Sequence, residues 1–421
     1  MRRAATRADR SEEAPLDVVL PNGLRVVAAR LPASAALSAE LRWPAGTVGD
    51  SVGRVGAGAV LVEWLQRGVD GSDAEAFAAA LERLGARLDG GAGRETGSLH
   101  VGCRMAEASR VLPLAAAAAA RPTLADDEFD GARGVVLEAL EAAADDPGER
   151  LSAALVAARY RGAHARGPLG RRGDLRRLTA PAVRELHATW TPVGAVLAVA
   201  AGGDPERWVD VAAASFGGWQ GPAARRQAGA TVAAPRRRHH RFGGHQTHVA
   251  VVEDAIAPHD PRWTAQAVAV VALSGVGGAR LWTELRERRG LAYDVDAYVR
   301  LQGGDAALVT RAATGARRAG EALALLRSEL ARWRAGLLPD ELARAKRVLA
   351  TRWVLESESG DGRAARLASD VLRFGRPRGV AEVLAALQEV TLEDVGAALA
   401  AAGRDEPTVV TLGPIAPEDA P

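Results

Sequence analysis

The sequence predicts an α+β protein built from two related domains, each a mixed sheet with helices packed on one face. Two observations support this fold class. The chain has 421 residues, which is too long for one hydrophobic core and suits two domains of about 200 residues each. Short motifs also recur at nearly constant spacing, which indicates an internal duplication. Because strand and helix signals are mixed in each half, we expect helices packed against a sheet in both.

Strand and helix signals follow one another through the first half. An Asn22-Gly23 turn precedes an apolar run, which predicts a strand. Alternation over 37–43 predicts a half-buried strand, and the continuous apolar run over 193–201 predicts a fully buried one. The pattern over 56–68 predicts an amphipathic helix. Further helices are predicted at 72–85, 123–145 and 148–161.

The internal repeat rests on two pairs of segments. The stretch that contains Asp127 matches the stretch that contains Asp340, 213 residues later, and Thr179 matches Thr391 at an offset of 212. A helix and then an apolar strand are predicted after each. Between the halves, a stretch rich in Gly, Ala, Arg and Pro is typical of an exposed interdomain linker. The predicted boundaries are domains at 16–222 and 242–416 and a linker at 223–241.

Composition restricts the class of protein. A formal charge of +2 argues against nucleic acid as the main partner, since that use needs a concentrated basic face. The single cysteine, Cys103, excludes an internal disulfide and a Cys-based zinc cluster. No apolar run reaches about 18 residues, and no apolar stretch follows the N-terminal arginines. We therefore expect no membrane span and no secretory signal, and a cytoplasmic location.

Four histidines lie close together near the predicted linker: His239, His240, His245 and His248. Three arginines directly precede them. Their spacing fits no standard set of metal ligands, so a solvated linker followed by the start of a strand is the preferred interpretation.

The segment 56–68 closely resembles the first helix of the pitrilysin/insulysin family of zinc peptidases, which includes the mitochondrial processing peptidases. That family carries H-x-x-E-H there: two His bind zinc, and the Glu activates the metal-bound water. Here Val60 and Trp64 occupy the His positions, and only Glu63 matches. The family's third ligand, a later Glu, corresponds to Ala139, with Glu138 one residue away. Since neither Val nor Trp can donate a lone pair, the resemblance implies a vestigial site without metal and no peptide cleavage by this chain alone.

A second segment, 278–293, resembles the family's S-R-L-f-x-x-L-R-E-x-x-G-L-x-Y stretch. In that family the Arg and the Tyr orient the substrate backbone and stabilise the tetrahedral intermediate. The matching residues are Arg286 and Tyr293, seven positions apart. Without the resemblance they read as one charge on a charged helix and one buried aromatic residue.

Two shorter stretches also resemble family elements. Residues 275–278 lack the ending of a phosphate loop and resemble the Gly-rich turn before the family's second motif. Residues 93–99 resemble the first domain's edge strand, to which a substrate adds as an extra strand through main-chain hydrogen bonds.

Loss of the zinc ligands with retention of the Arg/Tyr pair resembles the non-catalytic subunit of heterodimeric bacterial members. The resemblance implies half of a clam-shell and an accessory subunit of a heteromeric zinc metalloendopeptidase. Arg286 and Tyr293 would then act in trans on peptides or unfolded segments, opposite the zinc of a sibling chain carrying H-x-x-E-H. The alternative is a non-proteolytic structural or peptide-holding protein that forms a homodimer. An active enzyme with unusual ligands fits poorly, because no His lies on the critical helix.

Overall fold

The computed structural model describes residues 14–223, 228–275, 277–402 and 406–417. The chain groups into two compact units, and neither is one continuous segment. The first unit consists of Met1–Leu140, Pro168–Gln227 and Val354–Val383. The second consists of Glu141–Gly167, Ala228–Trp353 and Leu384–Pro421.

The strands, numbered in chain order, are β1 (Leu16–Val19), β2 (Arg25–Arg30), β3 (Ala36–Trp43), β4 (Arg87–Ala92), β5 (Gly97–Arg104), β6 (Val196–Ala201), β7 (Arg237–Arg241), β8 (Gln246–Asp254), β9 (Ala292–Gln302), β10 (Asp305–Gly315) and β11 (Thr408–Gly413).

The α-helices are α1 (Ala57–Trp64), α2 (Ala74–Arg83), α3 (Ala108–Ala120), α4 (Asp126–Asp145), α5 (Pro147–Arg159), α6 (Arg172–Arg177), α7 (Ala180–His187), α8 (Pro205–Phe216), α9 (Trp263–Ser274), α10 (Ala319–Arg334), α11 (Pro339–Glu358), α12 (Gly360–Phe374), α13 (Val380–Glu389) and α14 (Leu392–Ala401). A π-helix spans Trp282–Arg288.

The first unit is built on a six-stranded sheet of order β1-β2-β6-β3-β5-β4. Strand β6 pairs in parallel with β2 and antiparallel with β3. All six of its residues are buried. A strand covered on both faces must be apolar throughout, as the run over 193–201 predicted.

Helices cover both faces of this sheet. On one face, Leu37, Leu41 and Leu99 belong to the main hydrophobic core. On the other, Val27 and Val196 pack against apolar residues of α12. The prediction of a half-buried strand at 37–43 is therefore wrong, because α12 buries the polar side of β3, including Ser38 and Glu40.

The second unit has a five-stranded sheet of order β7-β11-β8-β10-β9. One face packs on α5, whose Leu151 and Leu155 join a core with Val252, Val309 and Val410. Helix α10 packs against β8 and β10.

The two sheets have the same connectivity, which confirms the predicted duplication. β7 corresponds to β2, β11 to β6, β8 to β3, β10 to β5 and β9 to β4, with one parallel pair in each sheet. The helices after the first repeated motif, α4 and α11, both have 20 residues. The fold class, two α+β units each with a mixed sheet and packed helices, is confirmed. The expectation of helices on one face alone is wrong for the first sheet, because α12 covers its second face.

Three details of the structure differ from what the sequence predicts or leave the prediction open. Segments 141–167 and 354–383 group with the unit built from the other half, so the boundaries 16–222 and 242–416 stay a prediction. The end of the segment predicted as a linker instead forms strand β7, which pairs with β11. The edge strand predicted at 93–99 is wrong: β5 lies inside the sheet, and β4 forms the edge. The adjacent Gly90 and Gly91 weakened the strand signal of β4.

In the part of the chain that the structure describes, no helix combines the length and the apolar character needed to span a membrane.

Candidate functional site

Helix α1, which contains three of the predicted vestigial zinc positions, is a core element. Val60, Leu61 and Trp64 are fully buried, and Glu63 is the one member of α1 that is not buried. The predicted amphipathic helix is therefore wrong. The helix contacts α7, β4 and β5, and a helix enclosed in this way needs apolar residues all around.

The loop before α1 stabilises its start. Gly56 has a φ of 112°, a conformation that residues with a side chain rarely adopt. The Asp50 carboxylate accepts hydrogen bonds from the backbone N–H groups of Gly56 (2.6 Å) and Gly58 (3.3 Å). These bonds satisfy N–H groups that have no partner within the helix.

Trp64 is held by contacts on several sides. Its Nε1 donates to the Ala125 carbonyl at 3.1 Å. Its ring meets Phe129 edge-to-face at 5.0 Å, and the Arg184 guanidinium lies 5.1 Å from the ring centroid. The position of the second family His is thus filled by a large side chain with its own packing role.

The remaining vestigial positions do not assemble a metal site. Burial raises the pKa of Glu63, and the nearby Arg67 opposes this shift. Ala139 and Glu138 are exposed on α4. Zinc sites use at least three protein ligands. Among the described residues, no three His, Cys, Asp or Glu side chains form a group that could hold a metal ion.

Arg286 and Tyr293 flank a backbone irregularity of the second unit. Arg286 lies in the π-helix, and π-helical turns occur frequently at functional sites. In the pairing of β9 with β10, Ala292 faces Thr314 and Asp294 faces Ala313. Tyr293 is therefore the extra residue of a β-bulge, a feature that redirects a side chain.

The Arg286 guanidinium lies between two aromatic rings. Its carbon is 4.0 Å from the Trp282 ring centroid and 4.4 Å from that of Tyr293. Arg286 Nη1 also donates to the Tyr293 carbonyl at 3.2 Å. Tyr293 is 77% exposed, so its interpretation as a buried aromatic residue is wrong. The structure brings the two predicted residues together at the surface of their unit.

Sequence reasoning missed Trp282, although it lies inside the matched motif. Its Nε1 donates to Glu287 Oε1 at 3.0 Å, which fixes the ring against Arg286. In the Gly-rich turn at 275–278, Val276 lies outside the described residues. Gly278 has a φ of 89°, which suits glycine.

A second cluster of charged groups, also missed, lies in the first unit. His100 Nδ1 is 3.4 Å from Glu40 Oε2, and His100 Nε2 is 3.2 Å from Asp361 Oδ1. Asp361 also accepts from Ser38 Oγ at 2.6 Å and pairs with Arg87 at 3.0 Å. A hydrogen bond with Glu40 raises the pKa of His100, although burial opposes it. No local pattern could reveal this cluster, because Asp361 reaches the sheet from α12.

Comparison with known proteins shows which family this chain resembles. The family described as the Peptidase M16 inactive domain matches residues 177–349. A protein of Mycobacterium leprae named as an uncharacterized zinc protease is 28% identical over 391 residues, which cover 90% of this chain and 87% of the relative. The chain is similar to M16 peptidases over most of its length. The resemblance to pitrilysin-like enzymes is thereby confirmed.

A further relative and two solved structures support the same resemblance. A Streptomyces coelicolor protein, also named as an uncharacterized zinc protease, is 26% identical over 94% of this chain and 89% of its own length. The crystal structure of a peptidase M16 inactive domain from Pseudomonas fluorescens matches with a TM-score of 0.87 at 23% identity, over 96% of this chain and 98% of that one. A protease from Helicobacter pylori matches with a TM-score of 0.85 at 18% identity, over 96% and 100%. At these identities the two structures establish the shared fold.

Proposed function

We propose that this M16-like protein is a non-catalytic accessory subunit of a heteromeric zinc metalloendopeptidase. In this proposal it positions a peptide substrate with Arg286 and Tyr293 for a zinc-bearing partner chain in the cytoplasm. One contrast carries the proposal: the zinc-ligand positions Val60 and Trp64 are buried in a hydrophobic core, whereas the Arg/Tyr pair lies at an exposed bulge.

The chemistry of the pair suits a reaction centre supplied by another chain. A guanidinium and a phenol are strong hydrogen-bond donors, and such donors stabilise the oxyanion that develops when a peptide carbonyl is attacked. The partner's zinc would supply the activated water. The aromatic stacking holds the guanidinium beside Tyr293, so the two groups are already close together before substrate binds.

The free edge of β4 supports a role in peptide binding. Within the described residues, β4 pairs with β5 alone. An edge strand can bind an extended peptide through main-chain hydrogen bonds, and this binding requires no zinc.

The test is to co-express the chain with a sibling that carries H-x-x-E-H, for example one encoded by a neighbouring gene. Peptidase activity on a broad peptide library and zinc content are then measured for each chain and for the mixture. We expect activity and zinc in the mixture but not in this chain alone. Replacing Arg286→Ala or Tyr293→Phe should lower kcat about 100-fold, the scale for removing one oxyanion donor.

Matched controls separate this role from a general effect on folding. Arg288→Ala removes an exposed Arg of the same π-helix that pairs with Glu284, and Tyr298→Phe changes another tyrosine of β9. Both should leave kcat nearly unchanged. Zinc-dependent cleavage by the chain alone, or a fully active complex with both Arg286 and Tyr293 replaced, would contradict the proposal.

The alternative function is peptide holding without proteolysis, by a homodimer, and the free β4 edge is the observation that favours it. Here the isolated chain should bind extended peptides whether or not Arg286 is intact. Fluorescence anisotropy with labelled peptides, together with sedimentation, distinguishes this function from the accessory role.

A further inference from the structure

Strand β7 carries an unusual concentration of positive charge. Arg237, Arg238 and Arg241 are exposed on this strand, and Arg236 directly precedes it. In the described part of the chain, no carboxylate forms an ion pair with these four arginines or with Arg161.

Both faces of the sheet share this charge. Arg238 and His240 lie beside Val410 and Leu412, which pack on α5, so these two residues belong to the α5 face. Arg237 and Arg241 alternate with them and lie on the opposite face.

Positively charged groups on and next to β7 repel one another. Burial and the neighbouring Arg161 and Arg238 lower the pKa of Arg236. Burial together with His239, Arg150 and Arg238 lowers the pKa of His240. The folded chain therefore carries an electrostatic cost along β7 that a bound anionic group would relieve.

The outer edge of β7 also offers backbone hydrogen-bonding groups. Val409 N–H donates to the Arg236 carbonyl, and Phe242 N–H donates to the carbonyl of Gly413. In a parallel ladder alternate residues bond to the partner strand, so the even-numbered residues of β7 face β11. The N–H and C=O groups of Arg237, His239 and Arg241 consequently point to the free edge, since β7 pairs with β11 alone among the described strands.

We propose that the free edge of β7 binds an extended acidic peptide segment, which adds to the second sheet as a further strand. Side chains of an added strand alternate between the two faces, and both faces of β7 are cationic. The preferred ligand therefore has consecutive Asp or Glu residues. This site is separate from the Arg286/Tyr293 pair, which lies at β9 on the other edge of the same sheet.

The test measures binding of fluorescein-labelled peptides to the full chain by anisotropy at low and moderate salt. The probe is a run of glutamates flanked by valine and threonine. One control peptide has the same charge but prolines at alternate positions, which remove the backbone donors that strand pairing needs. A second control has lysines in place of glutamates, and a third is a single-stranded oligonucleotide of similar charge.

We expect the acidic strand-forming peptide to bind and the proline peptide to bind at least about tenfold more weakly. The double replacement Arg237→Glu/Arg241→Glu should reduce affinity by at least about tenfold. Arg83→Glu, an exposed charge reversal on α2, should leave the affinity almost unchanged. Unfolding midpoints confirm that each variant remains folded.

Three results would overturn the proposal. Equal binding of the proline peptide, or tighter binding of the oligonucleotide, would show a diffuse electrostatic attraction instead of strand addition. Absence of binding by every probe would mean that the arginines only prevent the edge from pairing with other chains.

Discussion

Trp64 shows how one substitution can change the role of a whole helix. An imidazole at a zinc site needs a free lone pair directed at the metal, whereas the indole at this position donates to Ala125 and packs on Phe129. With Val60 also fully buried, α1 contributes to folding where catalytic relatives of the pitrilysin type would bind zinc.

The first prediction concerns this packing. Trp64→Ala should lower the free energy of unfolding by about 3–5 kcal/mol, because it leaves a cavity in the core and an unpaired carbonyl at Ala125. Urea denaturation measures the change. Val52→Ala, at a side chain that is 88% exposed, should change the free energy by less than about 0.5 kcal/mol. Equal effects of the two replacements would show that Trp64 is not part of a tightly packed core.

The second prediction concerns the pH dependence of the His100 cluster. The pKa of His100 is raised on folding, chiefly by Glu40. Its stabilising contribution is therefore complete below its ordinary pKa of about 6.5 and is lost as the pH rises through the raised value. The pKa values of Glu40 and Asp361 are lowered, so both carboxylates stay charged in this range.

The measurement compares the unfolding free energies of the native chain and His100→Gln at several pH values. The native chain should be more stable at pH 5.5 to 6, and its advantage should shrink steadily towards pH 9. A tenfold increase in the proton affinity of the imidazole on folding would correspond to a loss of at most about 1.4 kcal/mol across this range. A difference that does not vary with pH would show that the ion pairs with Glu40 and Asp361 do not affect stability.

At the scale of elements, the close approach of α12 to the first sheet makes the His100 cluster possible. The start of α12 lies so near β3 that a Cβ on Gly360 would be 2.6 Å from Ser38 Oγ. This proximity is what allows Asp361 to bond to Ser38 and reach His100. A pattern within α12 alone could not indicate it.

The third prediction follows from this contact. Gly360→Ala should destabilise the protein by about 1–3 kcal/mol, since it forces α12 away from β3. Gly396→Ala is the matched control, because its Cβ would meet nothing within 4 Å and the position is an exposed part of α14. It should stabilise the protein by about 0.5–1 kcal/mol through helix propensity. Effects of the same sign would indicate that α12 can shift without cost.

At the scale of the whole molecule, each half of the chain contributes a helix to the unit built from the other half. Helix α12 comes from the second half of the chain but covers Val27, Ala29 and Val196 of the first sheet. Helix α5 comes from the first half and covers the second sheet. Neither sheet can be fully buried by residues from its own half.

The fourth prediction tests this exchange. A fragment of residues 1–222 should bind a hydrophobic dye and unfold without cooperativity, because the α12 face of its sheet would be exposed. Adding a fragment of residues 223–421 should restore a cooperative transition. Cooperative unfolding of the first fragment alone, with stability close to that of the full chain, would show that the linear domain boundaries describe independent folding units.

The sequence alone determined much of this protein. Local patterns predicted the long helix α4 and, from a continuous apolar run, the buried strand β6, since these signals span few residues. The repeated motifs predicted two related halves. The residue types at positions 60 and 64, taken with the family resemblance, predict that this chain lacks two of the family's zinc ligands, because lone pairs are a property of the side chain itself. The resemblance of 278–293 to the family motif predicted the Arg286/Tyr293 pair, and its role stays a prediction.

Only the tertiary structure decided the remaining features. The bulge that exposes Tyr293, and the ring of Trp282 beside Arg286, depend on the register between β9 and β10. The edge position of β4 and the pairing of β7 depend on strand order. The His100 cluster and the exchanged helices join residues far apart in the chain, and contacts of this kind are set by packing between elements, which local patterns do not encode.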